Sequence, residues 1–441
     1  MITKINLQDR SIKSYAIREL TPRECFRLMG IGDHTIDVMQ QTTGEARATL
    51  GDYAKGVKRK ENEMAISACQ QYKQAGNSIV VDVLTAIYEQ LWYPKREPRK
   101  RENMLMDLLY PDDVIPDAPC DPNPGRVKHI ITTFSGYDSQ LMACDALKQK
   151  HPDFQWTCDG WSDIDKYACQ MHNLVFPQFA DKALGDITQV DWHAVKQQLN
   201  GAEVDLFTYS SPCQDISSAG RQMGLTEGSN TRSALLWKVA DAVEVLRPKY
   251  LLQENVSALV SRTFMPDFQR WLDCLSTLGY VNRWARLNAK DYGVPQNRDR
   301  VFCVSMRKDL AFDFQFPQPM KLKKCLADML EDTVSTSYFL KDETVYRFLE
   351  QNEKDEVLFL QYSVPPTHED AMFLKTWLQL WMEDNGGFSL SVCGLRRKLD
   401  EAKTTLMEHH KSWAKCKTFP YSRFAELFDE NMKSKVAVKV V

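Results

Sequence analysis

Between residues 129 and 310 the chain alternates short apolar runs with longer stretches whose apolar positions recur at helical spacing. Residues 129–134 form a β-rich run that breaks at Ser135-Gly136, and a helical stretch follows over 139–150. Residues 154–158 predict a second strand, 204–209 a third, 250–253 a fourth and 301–305 a late one; an amphipathic helix over 233–246 precedes the fourth. Strands alternating with helices predict an α/β architecture, a mostly parallel sheet with helices on both faces. Beyond residue 311 the alternation is lost, so 311–441 reads as a separate, smaller module. Seven of the nineteen prolines fall between Pro94 and Pro124. Proline fixes φ and removes a donor, so residues 94–126 predict a linker between an N-terminal segment, 1–93, and the alternating region, 127–310. No internal repeat is visible.

Composition fits this picture. With 43% hydrophobic and 26% charged residues among 441, the chain has the balance of an ordinary globular protein. That length suits about two or three domains. No uncharged apolar stretch approaches the ~18 residues of a membrane span. The start, Met1-Ile2-Thr3-Lys4-Ile5-Asn6, lacks the apolar core of a signal peptide, so a cytoplasmic protein with no membrane partner is expected. The twelve cysteines include no Cys-x-x-Cys pair, which disfavours zinc ribbons and a disulfide framework; no metal site is predicted. The net charge of −3 does not announce a nucleic-acid binder. Basic runs at 55–60 and 95–101 suit either a phosphate-facing surface or a solvated face.

Ligands of open α/β sheets sit beyond the carboxyl ends of the strands, so the residues that follow each run carry the chemistry. After the first comes Phe134-Ser135-Gly136-Tyr137-Asp138-Ser139, with one glycine and no full Gly-x-Gly-x-x-Gly. After the second comes Ser162-Asp163-Ile164-Asp165, whose acids suit ribose hydroxyls. After the third comes Ser210-Ser211-Pro212-Cys213-Gln214, and after the fourth Glu254-Asn255-Val256. On a strand-leaving turn Cys213 can be an activated nucleophile or a buried structural thiol. Glu254 can be an acid tuned by desolvation or a surface or capping carboxylate.

The ordered set resembles the DNA (cytosine-5) methyltransferases. Phe134-Ser135-Gly136 looks like the first cofactor motif, Ser162-Asp163-Ile164-Asp165-Lys166-Tyr167-Ala168 the second and Gly185-Asp186-Ile187-Thr188 the third. Ser211-Pro212-Cys213-Gln214 resembles the catalytic loop, followed by Arg232-Ser233-Ala234-Leu235 and Glu254-Asn255-Val256. The run from Asp291-Tyr292-Gly293 to Gln296-Asn297-Arg298-Asp299-Arg300 resembles the family's Gln-x-Arg-x-Arg signature. Residues 18–30 and 71–80 resemble the family's last two motifs, which usually follow the target-recognition domain. Here they come first, so the resemblance implies a circularly permuted member. Chain termini of compact domains commonly lie close together, so such a rearrangement is physically permissible.

The resemblance implies a Rossmann-like S-adenosylmethionine-dependent methyltransferase fold plus a smaller target-recognition domain at 311–441. It implies S-adenosyl-L-methionine as cofactor and cytosine in double-stranded DNA as substrate, the base being flipped out of the stack. Cys213 would add to C6, Glu254 would hold protonated N3, and Arg300, with Arg298 nearby, would assist electrostatically. Phe134, Ser135, Gly136, Asp163, Ile164, Asp186, Ile187, Pro212, Leu235, Asn77 and Ser78 would bind the cofactor. In that set Phe and Ile sandwich adenine, Asp163 takes the ribose and Asp186 the adenine amino group. Residues 214–230 would form a closing loop. A bacterial or phage origin and a cognate restriction endonuclease as partner belong to the same picture.

Two departures matter: Asp138 and Ser139 replace the later glycines of the first turn, adding a carboxylate near a cationic sulfonium, and Asp163 replaces a glutamate. The spacing across 34–66 is also longer than usual. Other readings lack their signatures. An NAD-linked dehydrogenase needs more glycines, and a Cys-His hydrolase needs a histidine near the motifs. The intact Cys213, Glu254 and Arg300 argue against a silent DNA binder. An RNA cytosine methylase of the same family is the nearest rival, against which the size of 311–441 favours DNA.

Overall fold

A computed structural model describes residues 2–6, 12–15, 17–50, 60, 62–94, 125–212, 232–340, 357–362 and 436–440. Cys213, the 214–230 stretch, the basic 95–101 run and most of the 94–126 and 341–441 segments lie outside them. The described strands are β1 (Ile2–Asn6), β2 (Ile12–Tyr15), β3 (Val127–Thr133), β4 (Gln155–Ser162), β5 (Leu206–Tyr209), β6 (Tyr250–Val256), β7 (Tyr280–Asn288), β8 (Asp299–Arg307), β9 (Val357–Tyr362) and β10 (Val436–Val440). The described helices are α1 (Pro22–Arg27), α2 (Asp33–Met39), α3 (Thr43–Leu50), α4 (Ala68–Asn77), α5 (Val81–Trp92), α6 (Ser139–Lys150), α7 (Lys166–Val175), α8 (Trp192–Gln198), α9 (Lys238–Leu246) and α10 (Met265–Thr277).

The chain divides into two compact units, Met1–Thr21 with Asp332–Val441, and Pro22–Glu331. The first holds an antiparallel sheet in the order β10-β9-β1-β2. Main-chain bonds from Glu19 to Tyr338 (2.9 Å) and from Leu340 to Ile17 (2.9 Å) continue the pairing of its two chain segments.

The second unit is built on a six-stranded sheet in the order β4-β3-β5-β6-β8-β7. β4, β3, β5 and β6 run parallel, while β8 pairs antiparallel with both β6 and β7. All four residues of β5 and six of seven in β6 are buried, because helices cover a parallel sheet on both faces. From β3 the chain goes outward to β4, then returns to lay β5 on the other side of β3. The crevice beyond β3 and β5 is therefore a topological switch point.

The N-terminal helices belong to this unit. Leu84, Ile87, Tyr88 and Leu91, spaced three and four apart, bury one stripe of α5, which packs on α6. Gly30, at φ +78°, lets the chain fold under α5: a side chain there would strike the Asp82 carboxylate. Residues 311–331 also belong here. Phe312 and Phe314 are buried, and Arg27 donates to the carbonyls of Met329 (3.2 Å) and Leu330 (3.1 Å).

At the amino ends of the strands Asp205, almost fully buried, joins three partners. It accepts from the His129 amide (2.9 Å) and from Arg126 (2.7 Å), and Lys249 lies 3.3 Å away. Removing this buried acceptor leaves the His129 amide without its side-chain partner, while Arg126 and Lys249 stay partly solvated, so Asp205→Ala is expected to cost about 1–3 kcal/mol. Urea unfolding checks this: the midpoint falls while the slope holds.

Among the described residues, no helix is long and apolar enough to cross a membrane, and no group of three or more His, Cys, Asp or Glu side chains is placed to hold a metal.

Candidate active site

The carboxyl ends of β3, β4, β5 and β6 open on one cavity of about 360 Å³, within the size range of small-molecule sites. Fourteen residues that the sequence singles out line it: Asn77, Ser78, Phe134, Ser135, Gly136, Asp163, Ile164, Asp186, Ile187, Pro212, Leu235, Glu254, Arg298 and Arg300. Cys213 lies outside the described residues; Pro212, which precedes it, is on the wall.

The turn after β3 is wound by three left-handed residues, Phe134 (φ +53°), Gly136 (φ +58°) and Asp138 (φ +69°). Gly136 faces open cavity, with nothing within 4 Å of where a Cβ would stand. Its amide donates to the Asp163 carboxylate (2.8 Å), which also accepts from the Asp165 amide (2.8 Å). Burial pushes the Asp163 carboxyl up from its ordinary pKa, and those two amides oppose the shift. Beside it Ile164 is 75% exposed on the rim, an apolar side chain left uncovered over a cavity. Asp186 accepts from the Thr188 amide and hydroxyl, both at 2.9 Å, and Ile187 is buried behind it.

Asp138 departs from expectation. Its carboxylate is fully buried and absent from the cavity wall, so it is not placed beside a bound cation. It caps α6 instead, accepting from the Leu141 amide at 3.2 Å.

At the far end Glu254 is 7% exposed, with Oε1 3.1 Å from Nε of Arg300 on the neighbouring β8. Burial is the largest influence and raises its pKa, while Arg300 and Arg298 pull it back. A carboxyl so balanced can gain or lose a proton as its surroundings change. Arg298 lines the same cavity, but its Nη2 donates to the carbonyls of Gly76 (2.8 Å) and Ser78 (2.6 Å). It thereby clamps the carboxyl end of α4 into the wall, where a cation also suits the helix dipole.

Three further residues belong to the site. Asn255 donates to the Ser211 carbonyl (3.2 Å) and fixes the exit of β5 just before Cys213. Lys73 reaches Asp165 at 2.6 Å and joins α4 to the cap of α7. Gln74 lines the cavity while 94% buried, with no hydrogen bond to either end of its amide among the described residues. All three lie inside or beside motifs legible in the chain, but nothing in a motif tells which member bonds to the backbone.

The fold is the Rossmann-like fold of the S-adenosylmethionine-dependent methyltransferases. The family model of the C-5 cytosine-specific DNA methylases matches residues 2–92 and 131–415, and the chain belongs to that family. A Type II methyltransferase of Lactococcus lactis subsp. cremoris, M2.ScrFI, is 45% identical over 165 residues, covering 37% of this chain and 44% of that protein. The orphan methyltransferase M.SssI of Spiroplasma monobiae is 38% identical over 151 residues, covering 33% and 38% respectively. The Type II methyltransferase M.HhaI of Haemophilus parahaemolyticus is 32% identical over 170 residues, covering 38% and 48%. The matches thus span less than half the length of these relatives.

Proposed function

We propose that this protein transfers a methyl group from S-adenosyl-L-methionine to C5 of a flipped-out cytosine in a specific double-stranded DNA sequence, through a covalent Cys213–C6 adduct. The observation that carries the reading is the pairing of buried Glu254 with half-buried Arg300, 3.1 Å apart, on the wall of a cavity that Pro212 also lines.

The residues present fit the cofactor. Exposed Ile164 and Phe134 offer apolar faces to adenine, Asp163 an acceptor to the ribose, and Asp186 an acceptor to the adenine amino group. Gly136 leaves room for close approach, and Gln74 has an unspent buried amide. Ser135, Ile187, Pro212, Leu235, Asn77 and Ser78 complete the wall. When bound, the cofactor supplies a methyl group made electrophilic by its sulfonium.

Cytosine C5 is a poor nucleophile. The Cys213 thiolate forms a C–S bond to C6 and pushes the electron pair of the C5–C6 double bond toward C5 and the ring. Glu254, protonated, bonds N3 and stabilises the charge that develops there. Arg300 holds Glu254 in place and adds positive potential. Arg298 supports the reaction from the wall it clamps. After methylation a base removes the C5 proton, the double bond re-forms, and the C6–S bond breaks to release Cys213. These steps need an extruded base. Residues 214–230, with three glycines, are assigned the closing loop; target recognition, expected of 311–441, is assigned to the part from 332 onward, since 311–331 belong to the unit of the six-stranded sheet.

A circularly permuted order accompanies this reading, supported by Asn77 and Ser78 lining one cavity with Phe134–Gly136. So does a cytoplasmic protein of a bacterium or phage, with a restriction endonuclease as companion. Incubation of unmethylated plasmid with protein and S-adenosylmethionine, followed by single-base methylation sequencing, tests the activity. Methylation of one cytosine within one short motif is the expected result. Methylation of tRNA with plasmid untouched would overturn the choice of DNA.

A further inference from the structure

Asp138 stands where the family pattern has a glycine, and its surroundings give it an occupation. The backbone is left-handed at φ +69°, which aspartate tolerates better than most side chains. Its carboxylate is wholly buried and accepts from Thr132 Oγ1 (2.7 Å) and the Leu141 amide (3.2 Å). His172 Nε2, on α7, lies 3.4 Å from Oδ2, within ion-pair reach but not aligned for a hydrogen bond. The imidazole is itself fully buried, stacked on Trp161 of β4 at 3.9 Å, with Nδ1 3.3 Å from Asn173 Oδ1.

The network reaches the cavity from behind. Thr132 Oγ1 also meets Ser135 Oγ (2.9 Å), and that hydroxyl lies 3.2 Å from both the carbonyl and the amide of Ser162. Thus one buried carboxylate links the end of β3, the start of α6 and the middle of α7. The loop carrying Phe134 to Gly136 leads from β3 into α6 and the loop carrying Asp163 and Ile164 leads from β4 into α7; they meet on the cavity wall, where the Gly136 amide donates to Asp163 at 2.8 Å. Asp165, which follows, caps α7 through the Tyr167 amide (2.9 Å), so a shift of α7 would carry that second loop with it. Burying a carboxylate and an imidazole costs solvation that a glycine would avoid; the Thr132 and Leu141 hydrogen bonds and the 3.4 Å approach of His172 fix the carboxylate in return.

We infer that Asp138 and His172 are positioning residues that set the spacing of the two cofactor loops, taking over by a buried polar bolt what a second glycine does by close backbone approach. The inference rests on the cofactor reading above. Each residue acts on the cofactor only through the loops, so the loss on removal falls on affinity rather than on the chemical step.

The test is calorimetric binding of S-adenosylhomocysteine to the full chain, with the melting temperature of the free protein as companion. Asp138→Gly, which restores the family residue and relieves the left-handed strain, is expected to bind about tenfold more weakly or worse, with KM for S-adenosylmethionine rising in step and kcat held. Asp138→Asn and His172→Gln are each expected to lose about threefold, and the double variant no more than either alone, because they sever one connection. Asp138→Gly binding within twofold of wild type overturns the inference. So do additive losses in the double variant, or unchanged affinity in Asp138→Asn and His172→Gln should the glycine variant not fold. Failure of the wild-type protein to bind either compound would instead sink the cofactor reading, which separates the two.

Discussion

Glu254→Gln is expected to slow methyl transfer about 100- to 10,000-fold while leaving S-adenosylhomocysteine affinity within twofold. The amide fills the same volume and can still accept from Arg300, but it cannot offer an acid proton to a ring nitrogen. Single-turnover assays with labelled methyl donor on plasmid measure the rate, and a variant within threefold of wild type would remove Glu254 from the mechanism. The pH dependence has a definite sign. Burial raises the carboxyl from its ordinary pKa, and in the proposed mechanism the protonated form is the active one. The wild-type rate should therefore fall as pH rises through that raised pKa, and the Gln variant should lack this limb. The same shift has a stability consequence. A raised pKa in the folded protein means the neutral carboxyl favours folding at low pH, and this contribution is lost as pH rises through the folded value. Asp33 and Asp309, held low chiefly by Arg27 and Arg307, act in the opposite sense.

Cys213→Ala is expected to abolish turnover, a loss on the order of a million-fold, because no other group replaces the attacking sulfur. DNA carrying 5-fluorocytosine offers a sharper readout, since fluorine cannot leave C5 as a proton does and the Cys213 adduct cannot resolve. Wild-type protein should form a complex with that DNA that survives a denaturing gel, in the presence of S-adenosylmethionine. The alanine variant should form none while binding S-adenosylhomocysteine normally. A trapped complex with Cys213→Ala would show that another nucleophile attacks the base.

What the chain discloses before any coordinates follows from strand ends. β3, β5 and β6 each carry a short apolar run, Ile130-Ile131, Leu206-Phe207 and Tyr250-Leu251-Leu252, so the residues that follow these runs, Phe134, Pro212 and Glu254, are easily placed, although β6 itself continues through Glu254 to Val256. β7 was harder to read: Tyr280–Asn288 alternates Asn, Arg, Trp and Ala at a sheet edge, where half-exposed positions blur the period. The pairing of residues 2–6 with 357–362 is equally illegible, because register between distant segments leaves no local mark. Within the site, Asp138 looks like a cofactor-facing charge from its neighbours in sequence. Its actual partner, His172, stands apart from every motif, and only the packing of α7 against the turn brings the two together. Arg298 likewise shares a signature with Arg300, yet the two guanidinium groups face different partners.

That clamp from Arg298 to Gly76 and Ser78 spans 222 and 220 positions of chain. On a ribosome working at about 5–20 residues per second, α4 is made roughly 11 to 44 seconds before its clamp. During that interval α5 can settle on α6, but the cavity wall has no guanidinium to seal it. The complete cavity wall is therefore a property only of nascent chains long enough to include Arg298. A ribosome stalled before Arg298 would display five of the six strands with the carboxyl end of α4 still unclamped.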